Sequence, residues 1–380
     1  MNILFDGRPI RNPISGVARY CIDKTNALAI LGRQRGINVD LYCQNWRGQN
    51  KELENQIPNL EAELHIDGKI NSKIKNILWE FFPDIINGIE FKRKYDIVHE
   101  SYFASLGNSR VKGPRCLKVS TIHDVIPIDH PEWFNFSNRY FSKRNLERQC
   151  KDSDHIICVS EYTKRRVIEL FPNTCDITVL PLGVNVPKNL IDSGLLNQLD
   201  IEEKKYLFYI GNIEPRKNLN SYVKAIEPVL RRDKSLKFVI AGHQNYLAGN
   251  ILKPILEEFP EQIIYLGKIT EELKWTLLKY AKFAVFPSLY EGFGIPVIEA
   301  YAAGTPIVFS DNSSLSELAL KREHLFDPKN LHDMLKTTEN LLYSSDLRNE
   351  LSIKGLERAK CHNWNSVASA TLDIYSNILK

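Results

Sequence analysis

The sequence predicts an α/β protein made of two parallel-sheet domains, and three observations carry that prediction. The chain has 380 residues, more than one ordinary core fills, so two domains of roughly 150–200 residues are expected. Short apolar runs alternate with helix-length segments, the pattern of strands covered on both faces by crossover helices. The alternation pauses once, after about residue 185, and then restarts.

In chain order, the first half gives the strand runs NILFD, DIVHE, KVSTIHD, DHIICVS and DITVLPLG. Helix-length segments at Val17–Leu31, Phe134–Lys151 and Glu161–Leu170 separate several of them. The stretch VNVPKNLIDSGLLNQLDIEEKK (184–205) is polar, lacks a strand period, and reads as a linker. The second half gives KYLFYIGN, KFVIAGH, IIYLGKI, FAVFPSL and TPIVFSD, again interleaved with helices. From about Leu331 the pattern is helical only, and WNSVASATLDIYSNIL closes it with apolar residues at helical spacing. The expected domains are 1–185 and 186–362, with a last helix over 363–380. Two such sheets are expected to leave a cleft beyond the carboxyl ends of their strands.

Composition narrows the function. Hydrophobic residues make up 43% and charged residues 25%, as in soluble globular proteins. The net charge of +4 is mild, whereas a nucleic-acid binder clusters its excess on one element. Seven scattered cysteines without a C-x-x-C pair fit thiols in a reducing compartment better than disulfides or zinc. MNILFDGRPI has no basic or apolar leader region, and no run reaches a membrane span, so a cytoplasmic placement is expected. KINSKIKNILWEFFPDI (69–85) interleaves lysines with apolar residues. It is either a helix facing the core or one resting on an anionic membrane, at its inner face.

The stretch SLYEGFGIPVIEAYAAGTP (288–306) carries the chemistry. Gly292 and Gly294 let the backbone turn and approach a ligand closely. Pro296 suits the first turn of a helix, so the amides of Gly294–Val297 should form an anion site fit for phosphate. Glu299 lies in that first turn. It is either a dipole-stabilised carboxylate or an acceptor for sugar hydroxyls, and Glu291 is either a solvated loop charge or a second such acceptor. In YIGNIEPRKNL, Arg216 and Lys217 follow a strand and a glycine, the order that diphosphate neutralisation needs. In the first half, Ser15-Gly16-Val17 opens a helix, as a plain Ser15 cap or as a close backbone approach at Gly16. His123 and Asp124 follow KVSTI, and His99 follows YDIV, all at strand ends. Asp152-Ser153-Asp154 is a D-x-D triplet, but it precedes a strand and reads as a surface turn.

EGFGIPVIEA, with seven residues between Glu291 and Glu299, resembles the signature of the family four retaining glycosyltransferases of the GT-B fold. DGRPIRNPISGVARY, STIHDVIPIDHPEWF, CVSEYTKRRV and YIGNIEPRKNL resemble further family segments in the same order. The resemblance implies two Rossmann-like domains facing a central cleft, with the last helix crossing back to the first. It implies a retaining hexosyltransferase of surface polysaccharide synthesis. The co-substrate is then a GDP- or UDP-linked sugar, with no metal and no cofactor, and the acceptor is a hydroxyl of a glycan or lipid-linked glycan. DGRPIRNPISGVARY and GNIEPRKNL are most similar to mannosyltransferase members using GDP-mannose. By the same resemblance Glu291, Arg216, Lys217 and His123 are catalytic. Gly16, Asn212, Phe293, Gly294, Ile295 and Glu299 bind the donor, and His99 and Asp124 lie near the sugar or acceptor. Asn212 departs from the family, many of whose members carry arginine there. Two other readings stay open, a nucleotide-sugar 2-epimerase and a silent nucleotide-sugar-binding subunit.

Overall fold

A computed structural model of the protein describes residues 1–10, 15–44, 57, 60–67, 94–101, 116–187, 192–244 and 251–380. The 69–85 segment lies outside the described residues. The chain divides into two compact units, Met1–Gly183 with Trp364–Lys380, and Val184–Asn363.

Among the described residues, the first unit holds a parallel sheet of seven strands. They are β1 (Asn2–Asp6), β2 (Asn38–Gln44), β3 (Glu63–Asp67), β4 (Ile97–Glu100), β5 (Leu117–Ile122), β6 (His155–Cys158) and β7 (Ile177–Val179). The spatial order is β3-β2-β1-β4-β5-β6-β7. The strand order reverses between β1 and β4, which pair from Ile3↔Ile97. β1 and β4 are buried almost throughout, as two-sided helix cover demands. The helix Gly16–Gln34 is capped by Ser15, whose hydroxyl accepts from the Ala18 amide at 3.2 Å.

The terminal helix Trp364–Ile378 packs on the Gly16–Gln34 helix and belongs to the first unit. Trp364, Val367, Ala368, Thr371, Leu372 and Tyr375 form its buried stripe, at helical spacing. Gly183 makes room for this helix, because a Cβ there would stand 2.7 Å from the Trp364 ring.

The second unit holds β8 (Tyr206–Ile210), β9 (Lys237–Ala241), β10 (Ile263–Tyr265), β11 (Phe283–Phe286), β12 (Ile307–Ser310) and β13 (Leu325–Phe326). Its order among the described residues is β10-β9-β8-β11-β12-β13, all parallel. Here the order reverses between β8 and β11. Loops that leave these two neighbours turn away to opposite sides, and a crevice opens at their carboxyl ends. The helix Leu219–Arg232 seals one face with Leu219, Tyr222, Val223, Ile226, Val229 and Leu230. Residues 192–205, expected as linker, are tied to this unit. Asp192 donates its amide to Thr276, and the Lys204 ammonium donates to the carbonyls of Lys279 and Ala281 at 2.8 and 3.0 Å. Such local hydrogen bonding leaves no periodic apolar signal. None of the described helices is long and apolar enough to cross a membrane.

Candidate functional site

The β8/β11 reversal gathers the charged residues of the second unit. β8 ends at Ile210, and after Gly211 the chain passes through a 3-10 turn at Pro215–Lys217 before the helix at Leu219. Asn218 makes that turn in the left-handed region, φ 58°, with its side-chain amide anchored on the Pro328 carbonyl. Arg216 and Lys217 are thereby carried to β11. The Leu289 amide donates to the Arg216 carbonyl at 2.8 Å and locks the two loops together.

Glu291 stands between the two cations. Lys217 Nζ donates to Glu291 Oε1 at 2.6 Å, and Arg216 Nη1 lies 3.1 Å from Glu291 Oε2. Arg216 also pairs with Glu214 at 2.5 Å and donates to the Tyr290 carbonyl. Lys217 lies over the Phe286 ring, 5.0 Å from its centroid, a buried cation on an aromatic face. Burial alone would push the Glu291 carboxyl up, but Lys217 and Arg216 outweigh it and bring it down to about 2. Burial, helped by Arg216, lowers the Lys217 ammonium, while Glu291 opposes the shift. The cluster is therefore ionised and desolvated, with two cations held between Glu291 and Glu214.

The Glu291 loop is held from the far side. Its amide donates to Ser313 Oγ at 3.0 Å, and Ser314 Oγ donates to the carbonyls of Glu291 and Phe293. Ser313 sits at φ 45°, uncommon for a residue with a Cβ and found where surrounding structure enforces it. Gly294 then takes φ 119° and starts the helix Ile295–Ala302. No other residue fits, since a Cβ would lie 2.6 Å from Leu315 as well as being strained. Among the described residues the amides of Phe293, Gly294 and Ile295 bond to nothing. They form an anion-receptive helix start beside the two cations. The Phe293 ring itself is buried against His362.

Glu299 lies one turn along that helix. Lys274 Nζ donates to Glu299 Oε1 at 2.6 Å and pairs with Glu271 at 2.8 Å. Burial alone would lower Lys274, but the two carboxylates raise it. Lys274 was not singled out in the sequence. Its position beside Trp275, on a helix with Leu277 and Leu278 buried, was the available signal, since a lysine there must find a carboxylate. Glu214 and the Asn312-Ser313-Ser314 brace were missed too, for they are polar loop residues with no period. Asn212 is exposed and its carbonyl accepts from the Tyr209 hydroxyl.

The candidate residues of the first unit form a different kind of site. His123 and Asp124 follow β5. Asp124 caps the turn after it through the Ile126 amide at 3.0 Å. The His123 ring meets the Tyr20 ring edge-on at 4.6 Å, and among the described residues its buried Nε2 has no hydrogen-bond partner. Burial and then Lys24 depress His123 to about 3, so it is neutral. Gly16 is the first residue of its helix, directly after the Ser15 cap. His99 is corrected. It is fully buried, stacked on Phe5, with Nε2 on Thr121 at 2.7 Å and Nδ1 on Tyr375. No ring nitrogen is left for a sugar. The D-x-D triplet is structural, with Ser153 on Ser120 and Asp154 accepting the Lys118 amide at 2.7 Å. The described cysteines are free, six in this unit and Cys361 in the second.

The chain is similar to known proteins over most of its length. The family model "Glycosyl transferases group 1" matches residues 195–358, and "Glycosyltransferase Family 4" matches residues 14–188. O-antigen chain mannosyltransferase B of Escherichia coli is 24% identical over 404 residues, covering 99% of each chain. Serotype-specific mannosyltransferase WbdA of Escherichia coli is 25% identical over 78% of this chain, which spans 37% of that protein's length. Among solved structures, sucrose-phosphate synthase from Thermosynechococcus elongatus superposes with a TM-score of 0.79 at 19% identity, covering 100% and 99% of the two chains. Anabaena HepE in complex with UDP and glucose gives 0.72 at 15% identity, over 99% and 100%. The chain belongs to family four of the glycosyltransferases and has their GT-B fold.

Proposed function

We propose that this glycosyltransferase moves mannose from GDP-mannose to a hydroxyl of a growing surface glycan on a lipid carrier, with retention and without a metal. The observation that carries the reading is the Lys217–Glu291–Arg216 cluster beside the unbonded helix amides at Gly294. A diphosphate suits the cations and amides. The sugar attached to it falls to Glu291, and the ribose to Glu299, each carboxylate accepting from hydroxyls. Mannose is supported by the names of the relatives, since the O-antigen chain mannosyltransferase B match runs end to end. The UDP complex of HepE keeps uridine as the second base to test.

In the proposed step, the bond from the sugar C1 to the β-phosphate oxygen breaks and its electron pair stays on the diphosphate. The acceptor oxygen bonds to C1 on the face just vacated, and its proton passes to the departing phosphate oxygen. Arg216, Lys217 and the Phe293–Ile295 amides oppose the charge that grows on that oxygen. They are held in place before the reaction, so little reorganisation is needed. His123, neutral at pH 7, is the proposed acceptor for a hydroxyl of the bound sugar.

The test is incubation with GDP-mannose and UDP-, GDP- and ADP-sugars, with and without a lipid-linked glycan, and NMR of the product. Nucleotide release speeded by acceptor, with an α-mannosyl product from the α-linked donor, supports the proposal. Sugar interconversion without release would favour an epimerase. Binding without either would favour a silent subunit.

A further inference from the structure

We propose that the start of the Phe136–Asp152 helix is a docking surface for an anionic lipid bilayer. Six consecutive residues, Asn135–Tyr140, are all exposed, so the first turn stands clear of the first unit. Phe136 is 81% exposed, the highest value among the large apolar side chains described, and Tyr140 is 50% exposed. The two aromatics are four residues apart and therefore neighbours on one stripe. Single exposed apolar residues are ordinary, but an aromatic pair on a projecting helix turn is not.

The charge around the pair selects the occupant. Arg139 and Lys143 are exposed at the next positions of the same face, three and seven residues after Phe136. Arg139 makes no ion pair among the described residues, and Lys143 reaches Glu147 only at 4.0 Å, as an exposed pair. From Asn135 to Asp152 there are five cations against two carboxylates. The buried side of the helix, Asn145, Leu146, Gln149 and Cys150, starts later, so the aromatic turn is not a misplaced core stripe. Aromatic rings with flanking arginine and lysine match the depth profile of a lipid headgroup layer, rings at the acyl boundary and cations at the phosphates. A protein partner would need a broader patch, roughly 800 Å² a side, than one convex helix turn offers.

The experiment is cosedimentation of the full chain with vesicles of phosphatidylglycerol and phosphatidylcholine in equal parts, against pure phosphatidylcholine. It is run at ionic strengths of about 0.01 and 1 M, where the Debye length falls from about 30 to about 3 Å. The expected result is at least tenfold more protein on the anionic vesicles at low salt, most of it released at high salt. Phe136→Ser with Tyr140→Ser, and Arg139→Glu with Lys143→Glu, each abolish it, at unchanged melting temperature. Ile353→Ser, at a 62% exposed residue of the second unit, leaves it intact. No wild-type binding to anionic vesicles, or binding that both double variants retain, overturns the proposal. So does a Phe136-dependent self-association in the absence of vesicle binding, which would make the patch a protein interface.

Discussion

The two units bury lysine side chains in different surroundings. In the second unit Lys217 and Arg216 pair with Glu291, and Lys274 with Glu299. The first unit also buries ion pairs, Arg8 on Asp6 at 2.7 Å and Lys118 on Glu100 at 3.2 Å, but Lys24 is buried there among uncharged groups. Lys24 Nζ donates to the Tyr20 hydroxyl at 2.9 Å, Tyr20 shares a hydrogen bond with Thr121 at 2.8 Å, and Thr121 leads through His99 to Tyr375 on the terminal helix. Burial pulls Lys24 down to about 7 because no carboxylate faces it in this chain of groups. A charge survives burial only beside its opposite; otherwise it gives up its proton. Lys217 and Lys274 of the second unit thus keep carboxylate partners, whereas Lys24 of the first lies in a network of uncharged donors and acceptors.

That contrast can be broken most severely at the cations. Arg216→Ala and Lys217→Ala should each lower turnover on the order of 10²–10³, as for other preorganised partners of a developing anion. The double variant should lose less than the product of the two, because both act on one diphosphate. Steady-state nucleotide release measures this, and full activity in Lys217→Ala would remove the cluster from the reaction.

The second expectation concerns pH. In the unfolded chain Lys24 keeps its proton to about 10.5, whereas in the folded chain it holds it only to about 7. Between those values the unfolded chain binds more protons, so stability rises with pH across that window. The cost is fully present below 7 and is on the order of a few kcal/mol. Lys24→Met should flatten this slope in denaturant titrations between pH 7 and 10. An unchanged slope would show that Lys24 stays charged.

Glu291 has the opposite sign. Its folded value of about 2 lies below the ordinary 4.5, so its contribution is present above 4.5 and is lost as pH falls through 2. The contribution is about 3 kcal/mol. Glu291→Gln should lose that stability at pH 7 and lose sugar transfer while keeping nucleotide affinity. Weakened binding of free nucleotide in this variant would instead place Glu291 on the diphosphate or ribose.

Tyr375→Phe is smaller. It leaves the Nδ1 of His99 unpaired in the core and should cost about 1–3 kcal/mol by thermal melting. No change would mean that a water or a rotated ring takes over. The least effect is expected from EDTA, which should leave turnover unaltered. Activity lost to EDTA and restored by magnesium would bring a metal into the step. Among the described residues the one cluster able to hold a metal, Asp40, Glu63 and His65, is on β2 and β3 of the first unit.

What was legible in the sequence follows the same physics. NILFD, KYLFYIGN and FAVFPSL were readable because strands buried on both faces are continuous apolar runs. The site on the β8/β11 side was readable because glycine, proline and charge occur there in an order that a strand-loop-helix turn requires. β2 and β3 were not picked out, since Asp40, Glu63 and His65 interrupt their apolar pattern. The partners of Lys24 and Lys274 were also illegible. Each residue is one lysine on a helix, and only the packed structure shows that Lys274 meets Glu299 while Lys24 meets a tyrosine hydroxyl. His99 looked like a site residue because strand ends carry sites, yet its fate was set by a tyrosine 276 residues away.

The most direct test of the central claim is calorimetric titration of the protein with GDP, UDP and ADP, beside their nucleosides without phosphate. The claim is that the paired cations of the second unit hold the diphosphate of the donor. One diphosphate should bind wild type, its nucleoside should bind far more weakly, and Arg216→Ala with Lys217→Ala should erase that difference. At a hundred times its dissociation constant the bound diphosphate should also stabilise wild type by about 2.7 kcal/mol. A double variant that binds the same diphosphate as tightly as wild type would contradict the account.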